Sequence, residues 1–178
     1  MSAQSQPSPD ELARDSVPAD SGAVVFPERP EIPVEMKQLD FLLGEFRVEY
    51  TNLTTEQVTT GSATCTTRPV ADGRFYEMTQ RVAVPAPGIV AAYLIGWSAV
   101  DQAFTSFYYD DWGHHGTLTG PGWDDGHFKI AGDTAVFGMR HRFVDDYEVI
   151  DDDHFVKHGY IDVDGQLVPG DILHFHRS

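Results

Sequence analysis

From residue 44 onward, apolar and polar side chains alternate with a period of two, and turn chemistry interrupts the alternation at short intervals. Phe46, Val48 and Tyr50 alternate with Arg47 and Glu49, the pattern of a strand with one buried face. Further strand signals lie near residues 60–68, 74–84, 90–99, 103–110, 114–120, 127–132, 136–148, 153–163 and 167–177. Between them stand Ala71-Asp72-Gly73, Pro85-Ala86-Pro87-Gly88, Asp101-Gln102, Asp111-Trp112-Gly113, Asp124-Asp125-Gly126, Asp151-Asp152-Asp153 and Asp164-Gly165, all of turn-forming composition. Short strands separated this way predict an all-β fold, a single antiparallel up-and-down barrel of about ten strands. Leu39 to Leu43 read as a short helical turn before Gly44. The first and last strands are expected to meet and close the barrel.

The same alternation predicts which side chains face inward. Tyr76, Met78, Gln80 and Val82 form the better inner face of the third strand, with Tyr93, Ile95 and Trp97 on the fourth. Phe104, Ser106, Tyr108 and Asp110 follow on the fifth, with Asp110 toward one mouth. Arg140 and Arg142 are expected in solvent, which turns His141 and Phe143 inward. Lys157 is likewise expected in solvent, which turns His154, Val156, His158 and Tyr160 inward. A tight turn near residue 151 then sets His141 beside Tyr160 and Phe143 beside His158. Asp164-Gly165 as a two-residue turn pairs Val163 with Gln166 and, extended, sets His158 opposite Asp171. This register carries Leu173, Phe175 and Arg177 inward, with Arg177 over Phe46 in a cation–π contact. A bulge at Pro169-Gly170 would reverse the parity.

The segment before the strands differs in composition. Residues 1–35 are rich in Ser, Pro, Asp and Glu and poor in apolar side chains, which predicts a disordered or extended arm. Val24-Val25-Phe26 within it would suit a contact across the barrel or between two copies, so a homodimer is allowed. Residues 36–178 form the expected barrel domain. The formal net charge is −16, a field that repels phosphate backbones and anionic lipid and excludes nucleic acid and membrane surfaces as expected partners. The one cysteine, Cys65, excludes an intrachain disulfide and reads as a small buried residue. No secretory signal or membrane-length apolar run is recognised, so a cytoplasmic location is expected.

Gly44-x-Phe46 opening the first strand and Arg177 closing the last resemble the calycin superfamily of lipocalins and fatty-acid-binding-type barrels. There the motif is Gly-x-Trp, and an arginine of the final strand stacks over the tryptophan. Phe46 in its place is a departure. Leu42-Leu43-Gly44-Glu45-Phe46, Gly73-Arg74-Phe75-Tyr76, Gly96-Trp97 and Asp110-Asp111-Trp112-Gly113 also resemble an uncharacterised bacterial lipocalin-like family. The resemblance covers roughly residues 36–178 and implies a barrel. Such families include ligand carriers, haem binders and cofactorless enzymes, so it implies no single function.

The candidate site is a lumen lined by Tyr76, Met78, Gln80, Trp97, Tyr108, His141, Phe143, His158 and Tyr160, with Asp110 at a mouth. An apolar and aromatic cavity with a few polar groups suits a small molecule. His141, His158, Tyr160 and Tyr108 are the candidate acid–base groups, since neutral imidazole exchanges protons near neutral pH and a phenol donates to a developing oxyanion. The expectation is cofactorless isomerase, cyclase or hydratase chemistry. The alternatives are a non-catalytic carrier and a metal or haem protein. His114-His115 and His174-x-His176 are the candidate metal ligands, and His141 or His158 the haem ligand. No phosphate-cradling glycine loop, Rossmann fingerprint or nucleophile elbow is present.

Overall fold

The computed structural model describes residues 28–54, 57–83 and 88–178. The arm predicted for residues 1–35 falls outside them through residue 27, as does most of the Pro85–Gly88 turn. Ten antiparallel strands close into one up-and-down barrel: β1 Gly44–Asn52, β2 Thr59–Val70, β3 Phe75–Val82, β4 Ile89–Ser98, β5 Ala103–Asp110, β6 His115–Asp124, β7 His127–Val136, β8 Met139–Asp151, β9 His154–Val163 and β10 Gln166–Arg177. Each strand pairs with its sequence neighbours, and β10 returns to β1, with Phe46 opposite Arg177 and Tyr50 opposite Leu173. Asp125-Gly126, Phe137-Gly138 and Asp164-Gly165 have both central residues at positive φ, the twist that matches two-residue hairpins. The turn between β7 and β8 had no signal of this kind in its sequence, because its first residue is an aromatic, Phe137.

One end of the barrel is sealed by a 3₁₀ segment, Val34–Leu42. Its buried side chains, Met36, Leu39 and Leu42, recur every third residue and are at most 2% exposed. That spacing places them on one stripe of a helix with three residues per turn. Phe41 packs edge-on against Trp123 and Phe155, with ring centroids 5.3 and 5.2 Å apart. The Trp123 indole donates to the Gln38 carbonyl at 2.9 Å. Phe46, Phe104, Phe128, Phe155 and Phe175 fill the interior above this plug and are all at most 2% exposed.

Gly44 and Arg177 complete the seal. The Arg177 guanidinium lies 4.8 Å from the centre of the Phe46 ring and donates from Nη1 to the Leu43 carbonyl at 2.6 Å. Gly44 has φ +122°, and a β-carbon there would sit 2.6 Å from Arg177 Nη1. Only glycine satisfies both the backbone and the space. Gly44→Ala is therefore expected to lower unfolding stability by about 1–3 kcal/mol, the usual cost of a non-glycine residue in such a conformation. Urea denaturation measures it, and Glu45→Ala serves as the neutral control.

Candidate functional site

The barrel interior has two halves. Toward the plug, the inward side chains are sealed. Toward the other end, Tyr50, Val82, Tyr108, His141, Phe143 and Ile161 face inward but are only half-buried. At this end, termed the vestibule, the inward aromatic and aliphatic side chains stay partly open to solvent. A separate surface concavity of about 230 Å³ lies at the plugged end between Phe46, His154, Phe155 and Arg177.

An ion triad forms the floor of the vestibule. Lys157 on β9 is 4% exposed and points into the barrel. Its Nζ lies 3.2 Å from Asp145 Oδ1 on β8 and 3.1 Å from Asp171 Oδ1 on β10. Asp145 and Asp171 are both register partners of Gly159. A β-carbon on Gly159 would strike the Asp171 carboxylate, so this glycine makes room for the two acids on either side of it. Burial alone would lower the Lys157 pKa, but the negative charges of Asp145 and Asp171 outweigh it and hold the ammonium well above its ordinary value. Burial raises the Asp145 pKa, against the pull of Lys157. Tyr93 and Tyr147 feel the charges of both Lys157 and Asp145, and burial pushes both phenols up. The two acids keep the ammonium protonated, and burial keeps the neighbouring phenols so. Among the described residues, three buried polar atoms have no hydrogen-bond partner: Gln80 Nε2, Ser106 Oγ and Asp171 Oδ1, the last holding its lysine only as an ion pair.

The rim carries a second polar group. The Asp110 carboxylate is fully buried and accepts from Tyr108 Oη at 2.5 Å, His114 Nδ1 at 2.8 Å, and the backbone N–H groups of Trp112 at 2.9 Å and His114 at 3.0 Å. Burial would raise the Asp110 pKa, but these donors outweigh it and hold the acid below its usual value. Because a carboxylate faces Nδ1, that nitrogen carries a proton and donates to Asp110. The His114 ring packs 4.6 Å from Phe137 and 6.2 Å from Trp112. The phenol of Tyr108 is committed to Asp110 and is held protonated, by burial first and by Tyr93 and Asp110 next.

The structure places the sequence-derived residues unevenly. Met78, Gln80, Tyr108, His141 and Phe143 face inward, Asp110 stands at the mouth, and Tyr76 and Trp97 lie at the plugged end. There the Tyr76 hydroxyl donates to Asp40 at 2.7 Å and Trp97 packs edge-on against Phe104 at 4.9 Å. His158 and Tyr160 lie on the outer face, a correction to the expected lumen. His158 pairs with Asp146 and Ile172, and Tyr160 with Val144 and Pro169. The reason is Lys157: its inward turn inverts the parity of β9. Phe143 accordingly pairs with Ile161, not His158. A bulge at Ile150, between Val149 and Asp151, adds an offset that the tight-turn register did not contain. In β10, Gly170 forms the second bulge, so Asp171 meets Gly159 and His158 meets Ile172. His158 is thereby excluded as a ligand to anything inside the lumen, whereas His141 keeps its inward place.

The remaining histidines separate. His115 Nδ1 meets the Gly113 carbonyl at 3.2 Å, away from its neighbour His114. His154, His174 and His176 gather on the outer face of β9 and β10, with His154 Nε2 and His174 Nδ1 3.1 Å apart and the rings of His154 and His176 stacked at 4.3 Å. The 5.4 Å centroid separation of the His154–His174 pair fits two rings meeting edge to edge across one shared proton. Among the described residues, no group of three or more His, Cys, Asp or Glu side chains is placed to hold a metal ion. Among them, too, no helix is long and apolar enough to cross a membrane.

No family model and no curated protein matches this chain. One solved structure with which it shares similarity is a protein of unknown function from the DUF3598 family of Nostoc punctiforme, 13% identical, with a TM-score of 0.40. The match covers 84% of this chain and half the length of that protein.

Lys157, Asp145 and Asp171 were not among the sequence-derived site residues, and His114 was read only as a candidate metal ligand beside His115. The signal for the triad was available: if His141 and Phe143 face inward, so does Asp145 two residues on, and a buried carboxylate needs a cation. Asp110 four residues before His114 was the corresponding signal at the rim. Lys157→Met leaves two carboxylates unmatched in the interior, and breaking such a pair costs about 3–5 kcal/mol. Lys157→Met/Asp145→Asn/Asp171→Asn is expected to recover most of that loss, and chemical denaturation of both variants measures it.

Proposed function

We propose that the barrel, built on a calycin-like plan, binds a small, largely apolar or aromatic molecule in its vestibule, in a cytoplasmic setting. One observation supports this above the rest. Gln80 Nε2 and Ser106 Oγ are buried with no partner on the inner faces of β3 and β5, in a barrel whose open end carries half-buried aromatic side chains. Buried polar groups are normally satisfied, and a ligand would supply the missing partners. The apolar walls supply most of the contact area, and the polar floor fixes orientation. Native mass spectrometry of the purified protein, paired with thermal shift against a library of small aromatic compounds, tests it. The expected result is a co-purified organic mass of one equivalent, or hits that raise stability by about 2.7 kcal/mol near one hundred times Kd. These hits should weaken in Gln80→Leu and Ser106→Ala. An unliganded protein that no library member stabilises would overturn the reading.

The Asp110–His114 dyad favours a second reading, in which the bound molecule is also transformed. A buried carboxylate that fixes an imidazole tautomer and leaves Nε2 basic is the arrangement of a general base. His141 on β8 supplies an imidazole on the inner face. On this reading His114→Gln abolishes turnover of the bound compound and leaves its Kd unchanged, whereas a carrier shows no product in either protein.

A further inference from the structure

The vestibule floor has a charge imbalance that bears on what the ligand is. One ammonium, Lys157, faces two carboxylates, Asp145 and Asp171. The lysine is buried and already ion-paired to both acids, which leaves it poorly placed to take an anion. The acids are not equally enclosed: the Asp145 side chain is 9% exposed and the Asp171 side chain 30%. Asp171 lies on the inner face opposite Gly159 and Asn52, at the end of β10 away from the plug. A carboxylate with spare acceptor capacity, in a floor carrying excess negative charge, is the recognition element for a cation. The walls agree. Tyr93 and Tyr108 meet with ring centroids 5.0 Å apart and planes tilted at 52°, Tyr50 stands on β1 within the field of Asp171 and Lys157, and tyrosine faces attract cations. The fully buried Asp110 carboxylate stands at the rim, and the chain as a whole carries a net charge of −16, which draws cations to the mouth. Ser106 Oγ and Gln80 Nε2 remain for a neutral polar group on the ligand body.

We propose that the ligand class is an organic amine: an aromatic or aliphatic body carrying an ammonium group, which seats on Asp171 and offsets the excess negative charge of the floor. This rests on the vestibule-binding reading above and adds the charge of the occupant. It also excludes fatty acids and other carboxylates, whose charge would meet Asp171 and find Lys157 already enclosed.

Isosteric probes of differing charge test the proposal. Isothermal titration at pH 7 would compare tryptamine, 3-propylindole and indole-3-propionate, and in parallel phenethylamine, propylbenzene and 3-phenylpropionate. The amine of each set is expected to bind at least about tenfold tighter than its neutral and anionic counterparts, the worth of a charge-assisted hydrogen bond in a desolvated site. Asp171→Asn should bring amine and neutral probe to within about twofold of each other, as removal of that bond requires. Neutral or anionic probes binding as tightly as the amines would overturn the charge assignment and leave the vestibule reading standing. If no probe of either set binds the wild-type protein, both readings fail. The wild-type comparison decides the matter even where the variant does not fold.

Discussion

A lysine ammonium inside a β-barrel must be matched there by negative charge, and that requirement ties three strands of this protein together. Lys157 on β9 needs Asp145 on β8 and Asp171 on β10 at hydrogen-bonding range. Meeting it fixes the register of both strand pairs and the parity of β9. It requires glycine at 159, where any side chain would occupy the space of the Asp171 carboxylate. It also sends His158 and Tyr160 outward, since neighbours of an inward residue face the other way. An isolated ion in such a place would be costly. Here the cost is offset by charge pairing, and the phenols of Tyr93 and Tyr147 surround the triad in their neutral form.

The two ends of the barrel follow different physics. The plugged end is apolar and tightly packed. A stripe of three side chains from the 3₁₀ segment and a set of phenylalanines pack there beneath a guanidinium set over Phe46. The other end is aromatic but open, with charges held on a floor and at a rim. The separation places rigidity on one side and accessible chemistry on the other, the arrangement expected of a barrel that admits a ligand through one mouth.

Most of the fold was legible in the chain. Alternation and Asp-Gly turns located the strands because one buried face and left-handed turn positions leave strong local signatures. The inner faces of β3, β4 and β5 followed for the same reason, and so did the meeting of Phe46 with Arg177. What was not legible depends on contacts between strands. The rule that charged side chains face solvent places Lys157 outside, and it fails because two acids distant in sequence meet the lysine inside. The bulges at Ile150 and Gly170 each shift pairing by one residue, which no alternation within a single strand reveals. The role of His114 depends on a turn that folds it back onto Asp110, so a histidine read as part of a loose His-His pair becomes half of a buried dyad. Charge parity succeeded on β8, where Arg140 and Arg142 do face out, and failed one strand later.

The inward lysine is the claim on which the rest turns, and the chain has three lysines with which to test it: Lys37, Lys129 and Lys157. Mass-mapped acetylation of the native protein at mildly alkaline pH compares them directly. Lys37 and Lys129 are expected to react readily. Lys157 should stay unmodified until the protein is denatured, because its amine is enclosed and held protonated. Acetylation of Lys157 in the native state at the rate of the other two would place it in solvent, and would contradict the triad, the register and the ligand site built on it.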